Sequence, residues 1–215
     1  MPINFNLEVK KMININEFIT GFSTSFTYNT TLKPWELTSR LNSIIEELIP
    51  KLNSDYLITG AVAIHKSAII EKGVTLKNAA IINEGCYVGA NAYFREGIYL
   101  DKSVKVGPGC EIKSSIISSD TAIAHFNYIG NSIIGRHVNF EAGSIAANHY
   151  NERTIKDISV LYRSEIINTN VSKFGSLVAD HCKIGANAVL SPGTILEKGT
   201  IVKRLELIEQ IKMRD

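Results

Sequence analysis

Residues 64–117, IHKSAIIEKGVTLKNAAIINEGCYVGANAYFREGIYLDKSVKVGPGCEIKSSII, carry a six-residue repeat that decides the fold. Every sixth residue from Ile64 to Ile112 is apolar, and every sixth residue from Ala68 to Ile116 is small or apolar. A period of six is a multiple of the two-residue period of a strand and does not match the 3.6-residue period of a helix. The stretch therefore predicts a succession of short strands.

Glycines mark the corners between these strands. They fall at the fourth place of alternate six-residue units, at Gly73, Gly85, Gly97 and Gly109. Glycine tolerates the positive φ that a sharp corner demands. Three strands and three corners make a coil of about 18 residues, and such coils stack about 4.8 Å apart through backbone hydrogen bonds. We therefore predict a parallel β-helix.

The repeat divides the chain into three regions. Residues 1–57 form an N-terminal segment, in which an apolar face and an initial proline predict a helix over about 34–52. The repeats occupy 58–203, and a polar stretch at about 147–158 predicts a loop that leaves the β-helix. Residues 204–215 are predicted to form a short amphipathic helix that covers the strand edges of the last coil.

Composition and charge limit the classes of function. A formal net charge of only +2 argues against a broad nucleic-acid or membrane-binding patch. The three cysteines, Cys86, Cys110 and Cys182, suggest neither a disulfide framework nor a zinc site. The sequence has no apolar run of the length of a signal peptide or a membrane span, so we expect a soluble cytoplasmic protein.

The 18-residue coil aligns three cations. Lys77, Arg95 and Lys113 are spaced by 18 residues, and each follows an apolar residue of the repeat. We expect them to form one column on one face. Like charges in register destabilise a sheet, so the column favours a bound anion such as phosphate, which Arg holds with a bidentate fork and Lys as a point charge. The alternative is three flexible side chains that spread into solvent.

His125 follows in the segment AHFNYIG, where the six-residue rhythm first shortens. Irregularities in strands often re-aim a side chain next to a site, and an imidazole can accept a proton at physiological pH. Tyr128, Asn139 and Asn148 are polar residues of the coils around it. The alternative interpretation is a histidine that forms ordinary surface hydrogen bonds.

The segment from His125 to Asn148 resembles the acetyltransferase domain of the bacterial bifunctional enzyme that makes UDP-N-acetylglucosamine. That domain, a glucosamine-1-phosphate N-acetyltransferase, carries His-x-x-Tyr-x-Gly, then Val-Asn-hydrophobic-x-Ala-Gly, then Asn. The matching residues are His125, Tyr128, Gly130, Val138, Asn139, Phe140, Ala142, Gly143 and Asn148. The likeness covers about residues 60–203 and leaves out the first 55 or so.

The resemblance implies a left-handed parallel β-helix of hexapeptide repeats, assembled as a homotrimer with active sites between subunits. It implies His125 as the catalytic base, acetyl-CoA as co-substrate and an amino-sugar phosphate as acceptor, with no metal. The implied substrate-binding residues are Arg95, Lys113, Tyr128 and Asn139, to which the cation column adds Lys77. Asn148 and Ser176 are implied to lie near acetyl-CoA.

Two positions depart from the family pattern. The family has a lysine in the excursion where Thr154 stands here, and Arg153 or Lys156 could replace it as a contact to the cofactor. Glu141 stands where the family usually has glycine. A glycine-rich nucleotide motif of the uridyl-transferring half does not occur in the sequence, so we expect no uridyl transfer.

We therefore expect an enzyme that moves an acetyl group from acetyl-CoA to the amine of an amino-sugar phosphate, with glucosamine 1-phosphate as first choice. Two alternatives stay open. One is a non-catalytic scaffold or sugar-phosphate-binding protein, because a fold does not determine a function. The other is a γ-type carbonic anhydrase, which the spacings of the five histidines disfavour, since no pair is five residues or one or two whole coils apart.

Overall fold

The computed structural model describes residues 13–28, 31–77 and 79–211. These residues form a parallel β-helix with three flat faces, and a layer of short helices packs on one face. The predicted β-helix of hexapeptide repeats is confirmed, because strands 18 residues apart pair in parallel, as Phe94 does with Ile112.

Four short helices precede the β-helix. They are α1 (Ile15–Phe18), α2 (Phe22–Ser25), α3 (Pro34–Ser39) and α4 (Leu41–Leu48), and a 3₁₀ turn (Ile49–Lys51) follows. The range 34–52, predicted as one helix, thus holds two helices and a turn that break at Arg40. The Glu36 carboxylate accepts the Lys33 N–H at 2.9 Å at the start of α3. None of the helices in the described ranges has the length and apolar character needed to cross a membrane.

The strands are short and follow one another around the three faces. In chain order they are β1 (Tyr56–Thr59), β2 (Val62–His65), β3 (Ile69–Ile70), β4 (Thr75–Leu76), β5 (Ala80–Ile82), β6 (Tyr87–Val88), β7 (Tyr93–Leu100), β8 (Lys105–Val106), β9 (Glu111–Ile117), β10 (Ala122–Ile123), β11 (Tyr128–Gly130), β12 (Ile133–Ile134), β13 (Asn139–Phe140), β14 (Ile145–Ala146), β15 (Ser159–Tyr162), β16 (Glu165–Asn168), β17 (Ser176–Val178), β18 (Lys183–Ile184), β19 (Val189–Leu190), β20 (Thr194–Leu196), β21 (Ile201–Val202) and β22 (Leu207–Ile208).

Each face is a stack of parallel strands. Face 1 contains β4, the first halves of β7 and β9, and then β11, β14, β19 and β22. Face 2 contains β2, β5, the second halves of β7 and β9, and then β12, β17 and β20. Face 3 is the seven-stranded sheet of β3, β6, β8, β10, β13, β18 and β21. Strand β1 folds back antiparallel on β2.

The interior of the β-helix is filled by inward-facing apolar side chains. They include Cys86, Val88, Phe94, Ile98, Val106, Cys110, Ile112, Phe140 and Leu190. The rhythm shortens by one residue at the corner after Lys113, because Ser115 and not Ile116 lies opposite Ile98. Ile116 therefore lies on the outer side of face 2. The first shortening comes at this corner, two corners before the break that the spacing predicted at His125.

A second core lies between the outer side of face 2 and the N-terminal helices. The Trp35 ring packs edge-on against Phe174 with centroids 5.9 Å apart, and the Tyr99 hydroxyl donates to the carbonyl of Ser25 at 2.7 Å. Gly97 lets the backbone of α4 approach β7 closely. The N-terminal segment, whose role the sequence left open, is therefore a layer that covers face 2.

The excursion is longer than the predicted range of 147–158. It continues through an antiparallel hairpin of β15 and β16 and returns to the β-helix at Ser176. Arg163 and Ser164 form the hairpin turn with positive φ values of 50° and 65°. This turn lacks the Asn-Gly or Asp-Gly signal that marks such hairpins in a sequence.

The predicted C-terminal helix is wrong for the described part of the tail, which ends at residue 211. Leu205 adopts a positive φ of 61° and makes a corner. Strand β22 then pairs in parallel with β19, and the Gln210 side chain exchanges two hydrogen bonds with the Ile195 backbone, at 2.8 and 2.7 Å. The tail thus adds a strand to the last coil. A paired strand satisfies the backbone groups along the free edge of β19, which a helix lying over that edge would not do.

Candidate active site

The cation column predicted from the coil spacing is present on face 1. Arg95 and Lys113 are register partners in β7 and β9. Lys77 lies one coil earlier, and its backbone N–H donates to the Phe94 carbonyl at 2.8 Å. Its ammonium lies 5.6 Å from the centroid of the Tyr93 ring, a cation–π arrangement. The column therefore consists of a close Arg–Lys pair and a third cation placed over an aromatic ring.

Two carboxylates neutralise the close pair, and neither was predicted from the sequence. Glu96 lies 3.0 Å from the Lys113 Nζ and 3.1 Å from the Arg95 Nη1, and Glu111 lies 2.7 Å from the Arg95 Nη2. Burial acts to raise the pKa of Glu96, but the hydrogen bond to Lys113 and the nearby cations hold it below its ordinary value. The bond to Glu111 raises the pKa of Arg95. Glu111 could have been predicted from the sequence, since it falls on the same face two residues before Lys113.

A row of polar side chains borders Lys113 in the next coil. The Tyr128 hydroxyl donates to Asn148 Oδ1 at 3.2 Å, and Asn148 Nδ2 donates to Asn131 Oδ1 at 2.6 Å. The row lies over Gly130, the register partner of Lys113. A Cβ atom at Gly130 would lie 2.6 Å from the Tyr128 hydroxyl oxygen. Burial raises the pKa of Tyr128, so the hydroxyl stays protonated and can donate.

His125 lies at the corner between β10 on face 3 and β11 on face 1, and it is exposed. Its carbonyl accepts hydrogen bonds from the Gly143 N–H at 2.9 Å and from Asn127 Nδ2 at 3.2 Å, which hold the backbone in place. Its Nδ1 lies over Gly107 of the preceding coil, 3.3 Å from where a Cβ would be. The imidazole is therefore a solvent-facing group on a fixed corner.

Within one chain, His125 and the close cation pair lie at opposite edges of face 1. Lys113 is level with Gly130, which follows His125 by five residues, a span of at most about 17 Å. Tyr128 lies between the two edges. The structure thus brings Arg95 and Lys113 together with the polar row, and it places the predicted base across the face from them.

Asn139 lies on face 3, apart from the cation column. It lines a groove of about 580 Å³ together with Lys183, Lys203 and Arg204. Glu141, at the corner beyond Asn139, binds Arg204 through both carboxylate oxygens, at 2.7 and 2.8 Å. Glu141, noted above only as a departure from the family pattern, therefore ties two corners of the β-helix together beside a cationic groove.

The residues predicted to contact acetyl-CoA differ in their accessibility. Ser176 is 0% exposed, and it alternates along β17 with Leu177 of the outer core, so its side chain faces the interior of the β-helix and is closed off from acetyl-CoA. Arg153 stacks on the Tyr150 ring at 3.2 Å and pairs with Glu209 at 3.5 Å. Lys156 is exposed on the excursion. Of the two residues that could replace the family's lysine, Lys156 is therefore the accessible one.

The histidines do not gather at one place on the β-helix. His65 packs against the Tyr56 ring on face 2. His137 and His181 stack with ring centroids 5.0 Å apart at the corner between faces 2 and 3, away from the corner that holds His125. Over residues 13–28, 31–77 and 79–211, the structure contains no group of three or more His, Cys, Asp or Glu side chains that could hold a metal ion.

The fold and the site define a hexapeptide-repeat β-helix protein with a charged and hydrogen-bonding face. A family model described as the GMPPB C-terminal domain matches residues 58–167, which is just over half of the chain. The chain belongs to this family of β-helix domains.

Curated relatives named bifunctional protein GlmU are similar over most of the chain. The protein of Methanococcus maripaludis strain C7 is 39% identical over 198 residues, covering 90% of this chain and 47% of the relative. The protein of strain S2 is 32% identical over 206 residues, covering 94% and 49%. The chain spans about half the length of these relatives. The resemblance to the bifunctional enzyme is confirmed. An alignment over 94% of the chain takes in part of the N-terminal segment, which the predicted likeness over about residues 60–203 did not include.

Solved structures include a hexapeptide transferase family protein from Anaplasma phagocytophilum. It superimposes with a TM-score of 0.43 at 21% identity, covering 68% of this chain and 72% of that chain.

Proposed function

We propose that the chain transfers the acetyl group of acetyl-CoA to the amine of an amino-sugar phosphate, with glucosamine 1-phosphate as the first substrate to test. The observation that carries the proposal is the register pair of Arg95 and Lys113 on face 1. Two cations in neighbouring strands, with backbones about 4.8 Å apart, suit a phosphate. Tyr128 and Asn148 beside them offer hydrogen bonds to sugar hydroxyls. The relatives named bifunctional protein GlmU support this assignment.

The proposed reaction is a direct transfer. The substrate amine attacks the thioester carbonyl carbon, a C–N bond forms, the C–S bond breaks, and CoA leaves as the thiol. The His125 imidazole takes a proton from the attacking amine and returns it to the departing sulfur, a contribution of typically about 10²–10⁴-fold in rate. Arg95 and Lys113 hold the phosphate so that the amine stays near the thioester, which lowers the entropic part of the barrier.

The geometry favours a site shared between copies of the chain. Asn139 lies on face 3 and the close cation pair on face 1, so one small substrate cannot contact all three residues in the same chain. The homotrimer implied by the resemblance would place Asn139 of one copy beside face 1 of another. Large apolar side chains exposed along these faces and corners fit such burial, namely Phe126, Ile145, Ile201, Leu205 and Leu207.

The acyl donor requires cations of its own, because CoA carries several phosphate charges. Lys183, Lys203 and Arg204 line the groove beside Asn139, and Lys156 is exposed on the excursion. We place the phosphates of CoA among these residues. Asn148, which is held by Tyr128 and Asn131 at the start of the excursion, is then close to the point where donor and acceptor meet.

A second candidate is a sugar-phosphate-binding protein without catalytic activity. One observation favours it: Glu96 and Glu111 already neutralise the close cation pair, so the site does not depend on a ligand for charge balance. The separation of His125 from that pair within one chain points the same way.

The test is the release of CoA thiol from acetyl-CoA in the presence of glucosamine 1-phosphate. We expect turnover by the natural protein and a loss of about 10²–10⁴-fold in His125→Ala, because the variant lacks the proposed base. The matched control is His181→Ala, which removes an exposed corner histidine elsewhere and is expected to keep full activity.

Two results would contradict the enzyme assignment. Absence of turnover with this and other amino-sugar phosphates, while calorimetry still detects their binding, would support the non-catalytic binding protein. Absence of both turnover and binding would remove the sugar-phosphate site itself. Equal activity of His125→Ala and the natural protein would leave an enzyme whose base is a different residue.

A further inference from the structure

Glu96 bridges the two cations to which the phosphate site is assigned. Its Oε2 lies 3.0 Å from Lys113 Nζ, and its Oε1 lies 3.1 Å from Arg95 Nη1. Each carboxylate oxygen thus takes one cation, as two oxygens of a bound phosphate would. The carboxylate of Glu96 and a substrate phosphate therefore compete for the same donors.

The backbone beneath this carboxylate is held from both sides. Glu96 has a φ of +63°, in the left-handed region that non-glycine residues rarely adopt. The Ser114 hydroxyl donates to its carbonyl at 2.7 Å. The next residue, Gly97, packs so tightly on α4 that an added Cβ would lie 2.5 Å from the Asn42 nitrogen. Only the side chain of Glu96, which is 47% exposed, is free to move.

Lys113 needs an anion at all times, because its side chain is only 6% exposed. A buried ammonium without a partner is costly, whereas one anion can replace another at little cost. Arg95 differs, since Glu111 stays bonded to it whether or not Glu96 moves. Exchange at this site therefore means that an external anion replaces Glu96 at Lys113.

We propose that Glu96 is a resident anion that occupies the phosphate site of the free protein and swings out when a phosphate monoester binds. The inference rests on the proposed function for its ligand class, and it adds a residue that sets the affinity for that ligand. Because the displaced carboxylate is tethered next to the site, its effective concentration is high, and it weakens every competing anion. It also provides the partner for Lys113 after the product leaves.

The test is calorimetric binding of glucose 1-phosphate, which carries the phosphate but no amine, to the natural protein and to Glu96→Gln. We expect Glu96→Gln to bind glucose 1-phosphate at least tenfold more tightly, because no carboxylate has to be displaced. Neutral glucose is expected to bind both proteins alike. The matched control is Glu84→Gln, which removes a surface carboxylate paired to Lys102 at 3.0 Å on a different corner.

Glu96→Gly is a second variant in case the amide at Glu96 impairs folding. Glycine accepts the positive φ at this position and removes the carboxylate, so it should show the same gain in affinity. Unchanged or weaker binding of glucose 1-phosphate by folded Glu96 variants would overturn the proposal, since Glu96 would then support the site. That outcome leaves the acetyltransferase proposal standing. If no protein, natural or variant, binds glucose 1-phosphate, the phosphate site fails and both proposals lose their basis.

Discussion

Gly130 decides where the hydrogen-bonding row of face 1 lies. The Tyr128 hydroxyl and the Asn148 amide fill the space that a side chain at this position would occupy. Gly130 is also the register partner of Lys113, so the row is held one coil away from the cation pair. Gly130, which has no side chain, thus leaves the space that the Tyr128 hydroxyl and the Asn148 amide occupy.

We predict that Gly130→Ala lowers kcat/KM for acetyl transfer by at least tenfold and changes the melting temperature by only a few degrees. The added methyl would lie 2.6 Å from the Tyr128 oxygen and 2.8 Å from Asn148 Cγ, so the row must shift while the inner core stays intact. Steady-state kinetics and thermal melting measure the two effects.

The double variant Tyr128→Phe/Gly130→Ala tests the cause. Removing the hydroxyl relieves the closest contact and leaves the one to Asn148, so adding Gly130→Ala to Tyr128→Phe should cost less activity than adding it to the natural protein. Additive losses would show that Gly130 acts through another contact.

At the scale of elements, the β-helix and the N-terminal layer meet most closely where α4 rests on β7. The two halves of β7 meet at a turn through Glu96 and Gly97, and the register with β9 shifts there between Arg95 and Ile98. The turn serves two purposes, because it carries the carboxylate of the candidate site and lets α4 approach the sheet.

We predict that Gly97→Ala lowers the free energy of unfolding by about 2–4 kcal/mol. Its φ is +88°, and the new Cβ would meet the backbone of Leu41 and Asn42 at 2.5–2.8 Å. The control is Gly199→Ala, where φ is +72° but nothing lies within 4 Å, so only the backbone strain of about 1–2 kcal/mol applies. Urea unfolding measures both, and equal losses would contradict a tight contact between α4 and β7.

At the scale of the whole molecule, two layers share one outer core, and a buried carboxylate lies at their border. Asp101 follows β7 in a cleft of about 510 Å³ that includes Tyr56, Tyr99 and residues of the N-terminal segment. Burial raises the pKa of Asp101, although the backbone N–H groups of Lys102 and Ser119 act to lower it. The folded protein therefore holds this proton to a higher pH than the unfolded chain does.

This difference predicts a pH effect on stability. Between the ordinary aspartate pKa and the raised one, the unfolded chain loses its proton first, so the contribution of Asp101 to the free energy of unfolding falls as pH rises. The amide of Asp101→Asn does not titrate, so the variant should not show this fall in the free energy of unfolding. Urea unfolding of both proteins from pH 3 to pH 8 measures it, and we expect the variant to gain stability relative to the natural protein as pH increases. A difference that does not change with pH would contradict the raised pKa.

The parts of the site that the sequence could predict are those that depend on spacing alone. The pairing of Arg95 with Lys113 follows from an 18-residue coil, since residues one coil apart lie in register. The distance between Asn139 and that pair could not be predicted, because it depends on which face each strand takes. The bonds of Glu96 and Glu111 also escaped prediction, since side chains choose their partners only when the backbone of neighbouring coils is in place.

The sequence by itself determined the β-helix, because a six-residue apolar period can bury its side chains only by coiling strands around a common interior. It did not determine the N-terminal layer, the length of the excursion or the fate of the tail, which follow from long-range packing. Leu207 and Ile208 form a strand because β19 has a free edge with which their backbone groups pair, and no local sequence pattern indicates that pairing. Likewise, only the tertiary structure decided that Lys113 is buried and paired with Glu96, because burial depends on residues far apart in the chain.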